Sequence, residues 1–319
     1  MSAPFYCSPL VRNCKTGSCL DRQGLLHYIR LYNRHHANQI HLNGYHTDAE
    51  LVELINNNLE PCQGKGDWCW ADQHFAVDDP IIQSRYKPKI PRTRYQWLKT
   101  TDIDKVIRPY EEIYPDFKYL ATVPLDFDKL RNFRLSYLNY CTLYNKDGKR
   151  KIGAVFNLDT SDKRGSHWVS MFADLDKHYV AFFDSVGVRN PPREITLLMN
   201  SIKRQIERCA HHRFNRYVAN NVNLKVNRRN IQKGNTECGV FCIYFILKCL
   251  EGATPDEIFD DPYLSDRTVN YFRGKIFRPS IDSDNEVFSD QGLELSSPIS
   301  KRRSRTKPRT YTVKNKLNR

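Results

Sequence analysis

The longest apolar run in the chain begins at Cys238 and ends at Leu250, with Lys248 its only charge. Apolar residues occupy nearly every helical face and the run is too long for a typical strand, so it predicts a buried helix, stopped at Gly252. Upstream, Lys151 to Leu158 alternates apolar and polar positions as a strand does. His167 to Leu175 predicts a second strand, with Trp168, Ser170 and Phe172 on one face and Val169, Met171 and Ala173 on the other. Both faces are mostly apolar, so this strand is expected to be central and covered on both sides. Asp174 to Lys177 predicts a short turn and His178 to Phe183 a third strand. After Pro191-Pro192, Ile195, Leu198, Ile202 and Ile206 recur at helical spacing and predict a helix from Arg193 to about His211. Tyr217 to Val226 is expected as a strand, and Thr254-Pro255-Asp256-Glu257 to open another short helix. Strands gathered in the middle beside helices, with a hairpin at the centre, predict an α+β fold.

Chemistry-bearing residues fall at the edges of these elements. Cys238 opens the buried helix in Gln232-Lys233-Gly234-Asn235-Thr236-Glu237-Cys238-Gly239. His167 heads one strand, and Asp184 follows Phe182-Phe183 at the end of the next. A thiolate attacks a carbonyl where a thiol hardly does, and a helix N-terminus and an adjacent imidazolium both favour the thiolate. His167 is the candidate base and Asp184 the group that holds its tautomer and stabilises its charged form. The Gln232 amide and the Cys238 N–H are candidate oxyanion donors, one such donor contributing about 3–4 kcal/mol in model enzymes. Taken singly, each has a plain structural role. A Cys in an apolar helix is ordinarily a small buried hydrophobe, and Cys242 and Cys249 are read that way. Among 10 cysteines and 10 histidines, joint placement is what singles out His167, Asp184, Gln232 and Cys238.

This order and spacing resembles the SUMO-protease-like cysteine peptidases, which include the adenovirus protease. His167-Trp168, Asp184 and Gln232-x5-Cys238-Gly239 match the family's intervals, and Trp97-Leu98 stands where the family has a further tryptophan. The likeness runs over roughly residues 95 to 278. It is closer still to the polyprotein-processing thiol proteases of large cytoplasmic DNA viruses, through Trp97 to Asp104, Val123 to Phe127 and Val155 to Thr160. Glu237 departs from the Asp usual in cellular relatives but keeps the charge. The resemblance implies a papain-like core, with a central mixed sheet packed on the nucleophile's helix. It implies that Trp97 and Trp168 cover a narrow tunnel for a Gly-Gly tail. It also implies cleavage after Gly-Gly in viral structural polyproteins during virion maturation, in the host cytoplasm and the virion. The same site and tunnel suit an isopeptidase acting on SUMO or ubiquitin conjugates. Acyl transfer, as in bacterial effector acetyltransferases with the same residue order, is disfavoured by Trp97. A binding protein that has lost catalysis is disfavoured by the complete set of four residues.

The remaining chain adds less. Residues 1–94 do not match that core and are expected as an N-terminal helical accessory segment, ahead of a catalytic domain at 95–279. Within it, Thr47 and Glu50 form a capping box for a helix over His46 to Leu59, with Ala49, Val52, Leu54 and Ile55 as its apolar face. Asp67-Trp68-Cys69-Trp70 is read as core packing, and the stretch around Pro88 and Pro91 as a linker. Its cysteines lack the close spacing of a zinc site, and thiolate chemistry requires no metal or organic cofactor. Residues 280–319 form an acidic and then a basic tail. Lys301 to Arg319 carries nine Lys or Arg and no carboxylate, a large share of the net charge of +14. Such a tail is too polar to pack and binds nucleic acid or another polyanion without sequence preference. A nuclear import signal and a purely solubilising tail are the other readings. No apolar run is long enough to span a membrane, and no signal peptide is expected. A required thiolate among many cysteines predicts a reducing compartment and no disulfides.

Overall fold

The computed structural model describes residues 6–281, apart from 12–13, 15–16, 92–94, 188–189 and 212–221. Of the tail expected over 280–319, residues 282–319 therefore lie outside the described residues, while Ser280 is buried and the Ile281 N–H donates to Asp72 at 3.3 Å; the first half of the strand expected from Tyr217 also lies outside them.

The N-terminal region builds a core of its own. Asp21 caps α1 (Arg22–His35) by accepting the Gly24 N–H at 2.9 Å. Thr47 and Glu50 form the expected reciprocal box at the start of α2 (Asp48–Asn58). The buried stripe of α2 centres on Leu51 and Ile55, with the expected Val52 and Leu54 packed against the same core, while Ala49 faces solvent. With α3 (Pro80–Arg85) and a 3-10 turn at Asp67–Asp72, these helices enclose Leu25, Tyr28, Trp70 and Phe75. The stretch around Pro88 and Pro91, expected as a linker, is paired. Ile90 N–H donates to the Arg278 carbonyl at 2.8 Å, and Arg278 N–H to Pro88 at 3.0 Å. The buried Arg278 guanidinium bonds Asp72.

The protease-like part begins with α4 (Thr100–Ile107) and α5 (Tyr110–Ile113). They precede β1 (Phe117–Pro124), α6 (Tyr140–Asn145), β2 (Lys151–Asn157), β3 (Trp168–Asp174) and β4 (Tyr179–Phe183). Next come α7 (Arg193–His211), β5 (Asn223–Val226), α8 (Cys238–Leu250), α9 (Pro255–Phe259) and α10 (Asp266–Ile276). The sheet order is β1-β2-β3-β4-β5, antiparallel at β2–β3 and β3–β4 and parallel at both outer pairs. The fold is α+β with a mixed sheet, and every residue of β3 is buried, as a strand covered on both faces must be.

Alternation then sorts the side chains. Val169, Met171 and Ala173 join Phe182 and the α7 residues Ile195, Leu198 and Ile202 in one cluster. On the other face α8 packs across β3, and Phe183 stacks on Phe245 with ring centroids 4.9 Å apart. The sheet is thus the middle of three layers, with α8 covering one face.

Three disulfides correct the expectation of none: Cys7–Cys19, Cys62–Cys69 and Cys141–Cys209. Their Cα atoms lie 5.2, 5.5 and 5.8 Å apart, within bridging range. The third joins α6 to α7 across 68 residues, a proximity only the fold creates. Cys14, Cys238, Cys242 and Cys249 are free. Among the described residues no helix is long and apolar enough to cross a membrane.

Candidate active site

The β2–β3 ladder starts at Asn157↔Trp168 and the β3–β4 ladder ends at Ser170↔Phe183. His167 and Asp184 therefore leave the same end of one hairpin. His167 Nε2 lies 2.7 Å from Asp184 Oδ1, which leaves Nδ1 to meet Cys238. Cys238 is the first residue of α8 and buried, and its sulfur lies near enough to the imidazole to favour the charged form of His167. At that position the sulfur faces the unpaired N–H groups and positive end of the helix.

The electrostatics follow from this packing. Burial disfavours charge on His167, but the bond to Asp184 and the hydrogen bond and charge of Cys238 outweigh it and lift the pKa to about 9. For Asp184, burial pushes the pKa up. The His167 bond and charge and the Val186 and Gly187 N–H groups hold it below the usual carboxylate value instead. Gly187 reaches this position with φ +67, and a Cβ there would fall 2.1 Å from the Arg229 carbonyl oxygen, so only glycine fits.

Gln232 is held by groups on both sides. Ser185 Oγ donates to Gln232 Oε1 at 2.6 Å, and Gln232 Nε2 donates to the Gly234 carbonyl at 2.8 Å. The second N–H of the amide remains for a ligand. The loop from Gln232 to Cys238 is tied to α10. Asp266 accepts the Lys233 and Gly234 N–H groups at 2.9 and 2.8 Å, and Asn270 donates to Glu237 at 3.2 Å. Burial raises the Glu237 pKa, but the bonds from Thr236 and Asn270 prevail and lower it, so the charge expected at this position is retained.

Two tryptophans border the cluster differently. Trp168 is buried, and its Nε1–H donates to the Leu98 carbonyl at 2.9 Å. Trp97 is 38% exposed. Gly239 sits beneath Leu98 and Trp168: a Cβ there would lie 3.2 Å from Leu98 Cβ and 3.3 Å from Trp168 Cδ1. The glycine after the cysteine thus lets the Trp97-Leu98 segment approach the start of α8.

All four residues singled out in the sequence come together, and Cys242 and Cys249 are buried in the helix with thiol pKa values raised by burial. Ser185, Asn227 and Arg273 were not singled out. Asn227 is fully buried and donates to the Asp184 carbonyl at 2.6 Å while accepting the Arg229 N–H at 3.0 Å. Nothing in Asn227-Arg228-Arg229-Asn230 distinguishes it from a surface loop. Among the described residues no group of three or more His, Cys, Asp or Glu is arranged for a metal ion. A cavity of about 910 Å³ lined by Tyr86, Lys87, Lys105, Arg108 and Lys275 includes none of the four residues.

A thiol, an imidazole and a carboxylate in line at a helix N-terminus are the equipment of a cysteine peptidase. Residues 150–284 match the C-terminal catalytic domain of the Ulp1 protease family, and the chain carries a Ulp1-like cysteine peptidase domain there. It is 29% identical over 292 residues to a protein of Acanthamoeba polyphaga mimivirus described as a thiol protease, covering 85% of this chain and 93% of that one. It is 24% identical over 211 residues to the SUMO-1 cysteine protease of African swine fever virus, covering 62% and 73%. The crystal structure of the African swine fever virus protease has the same fold. Its TM-score is 0.59 at 17% identity, over 88% of this chain and 98% of that one.

Proposed function

We propose that this cysteine peptidase cuts after Gly-Gly in structural polyprotein precursors of a large DNA virus. The observation that carries the reading is the 2.7 Å contact of His167 Nε2 with Asp184, which turns the other imidazole nitrogen toward Cys238. The Cys238 thiolate attacks the carbonyl carbon. The oxyanion is held by the free Gln232 N–H and the Cys238 backbone N–H. The His167 imidazolium gives its proton to the departing amine, and a thioester remains on Cys238. Water, deprotonated by His167, then attacks the thioester and restores the thiolate.

Specificity for glycine rests on close quarters. A methyl group at Gly239 would crowd Leu98 and Trp168 at 3.2 and 3.3 Å, and with exposed Trp97 beside them a passage there suits residues without side chains. The relatives in mimivirus and African swine fever virus favour a viral precursor as substrate, with the host cytoplasm and the virion as places of action. The basic segment Lys301 to Arg319 would hold the enzyme near packaged nucleic acid by counterion release. A second reading, removal of a SUMO-like modifier from conjugates, is favoured by the name of the swine fever relative.

Peptides carrying Gly-Gly-Xaa test the first reading against the second. Cleavage after the second glycine, lost in Cys238→Ala, supports the endopeptidase. Turnover of folded modifier conjugates without peptide cleavage supports the isopeptidase instead.

A further inference from the structure

Arg273 is a charged side chain in an unusual place. It lies on α10 with 1% of its surface exposed, on the same stripe as buried Val269 and Ile276. Burying a cation is costly unless its charge and donors are used. Its guanidinium donates in two directions: one Nη to the Gln96 carbonyl at 2.8 Å, the other to the Thr236 carbonyl at 3.0 Å. Gln96 immediately precedes Trp97, and Thr236 lies two residues before Cys238. These segments are 140 residues apart in the chain (Gln96 to Thr236). Arg273 is the fork that spans them.

We propose that Arg273 is a positioning residue that locks the Trp97 segment, the substrate cover, to the loop presenting Cys238. The inference rests on Cys238 being the nucleophile. The electrostatics agree in direction. Burial lowers the Arg273 pKa, and the charges of Glu237 and then Cys238 oppose that loss. Glu237 does not neutralise the guanidinium outright, because its carboxylate is engaged by Thr236 and Asn270. The two carbonyls require a planar fork, which arginine offers and lysine does not. The same α10 supplies Asp266 and Asn270 to the nucleophile loop, so one helix sets the loop's place and Arg273 extends that setting to the cover.

The test compares wild type, Arg273→Met and Arg273→Lys, each first shown folded by its thermal transition. Two readouts follow: the rate of Cys238 alkylation by iodoacetamide across pH, and kcat and KM on a Gly-Gly peptide. Arg273→Met is expected to slow alkylation of Cys238 about tenfold, because the loop that presents it is no longer held. Its kcat is expected to fall about 100-fold from misplacement of cover and nucleophile. Arg273→Lys is expected to recover little of either rate, because an ammonium group cannot hold both carbonyls as the planar fork does. Wild-type alkylation and kcat in folded Arg273→Met overturn the proposal. If that variant does not fold, wild-type kcat in Arg273→Lys overturns it. Loss of selective labelling in the wild type itself, relative to Cys238→Ala, would instead remove Cys238 as the nucleophile.

Discussion

Ser185 Oγ donates a 2.6 Å hydrogen bond to Gln232 Oε1, and this contact fixes the orientation of the amide whose N–H is the proposed oxyanion donor. The two residues are also joined through the backbone, since the Gln232 N–H donates to the Ser185 carbonyl at 2.9 Å. Because Ser185 directly follows Asp184, one turn after β4 orients both the carboxylate beside the imidazole and the Gln232 amide.

Ser185→Ala removes the donor and lets the amide turn over. The expected result is a kcat lowered about 10–100-fold with KM little changed, since the oxyanion exists only beyond the ground state. Stability should fall by about 1–2 kcal/mol for the unpaired buried acceptor. Steady-state kinetics and a urea titration check both; unchanged kcat would mean that backbone donors alone hold the oxyanion.

Gly239→Ala places a methyl group at 3.2–3.3 Å from Leu98 and Trp168. The Leu98 segment must shift by a few tenths of an ångström, carrying Trp97 with it. We expect kcat/KM for Gly-Gly peptides to fall at least about tenfold through displaced substrate contacts. Alkylation of Cys238 by a small reagent should change much less. Equal losses in both assays would place the damage at the nucleophile and not at the cover.

The pH dependence turns on His167. Its folded pKa is raised from 6.5 to about 9, so the bond to Asp184 stabilises the fold fully below 6.5 and is lost as pH rises through about 9. In the proposed mechanism the imidazolium is also the acid that protonates the leaving amine, so the alkaline limb of kcat/KM should fall near 9. Asp184→Asn removes the anionic acceptor and should move that limb toward lower pH while depressing the rate throughout. A wild-type limb close to 6.5, the ordinary imidazole value, would contradict the pairing.

Of the ten cysteines, only four are free. Denatured without reductant and titrated with a thiol reagent, the purified chain should show four thiols. Ten would contradict the pairings. The Cys141–Cys209 bridge closes the longest loop and should matter most: its double serine variant is expected to lose about 2–4 kcal/mol of stability.

How much the chain disclosed depended on pattern strength. β3, α7 and α8 have the expected ends to within a residue because their periodicity is strong and their faces are continuously buried. His167, Asp184, Gln232 and Cys238 were legible because they sit at the borders of such elements. Ser185, Asn227 and Arg273 were not, since each acts on a partner brought near only by the fold: Asn227 on Asp184, 43 residues away, and Arg273 on Gln96, 177 residues away. One signal was present for Arg273, a charged residue on the Val269–Ile276 stripe of a helix, where a cation is rarely left without a task. Disulfide pairing was hidden for the same reason, because spacing along the chain does not report distance in space.

The most direct measurement traps the acyl acceptor. A peptide ending in Gly-Gly with an electrophilic group in place of the scissile amide is incubated with the enzyme, and the adduct is located by mass spectrometry of the digested protein. The expected result is one adduct, on Cys238, absent in Cys238→Ala and slowed in His167→Ala. Hydrolysis of the matching substrate with no adduct on Cys238, or with the label on Cys14, Cys242 or Cys249, would contradict the assignment of the nucleophile.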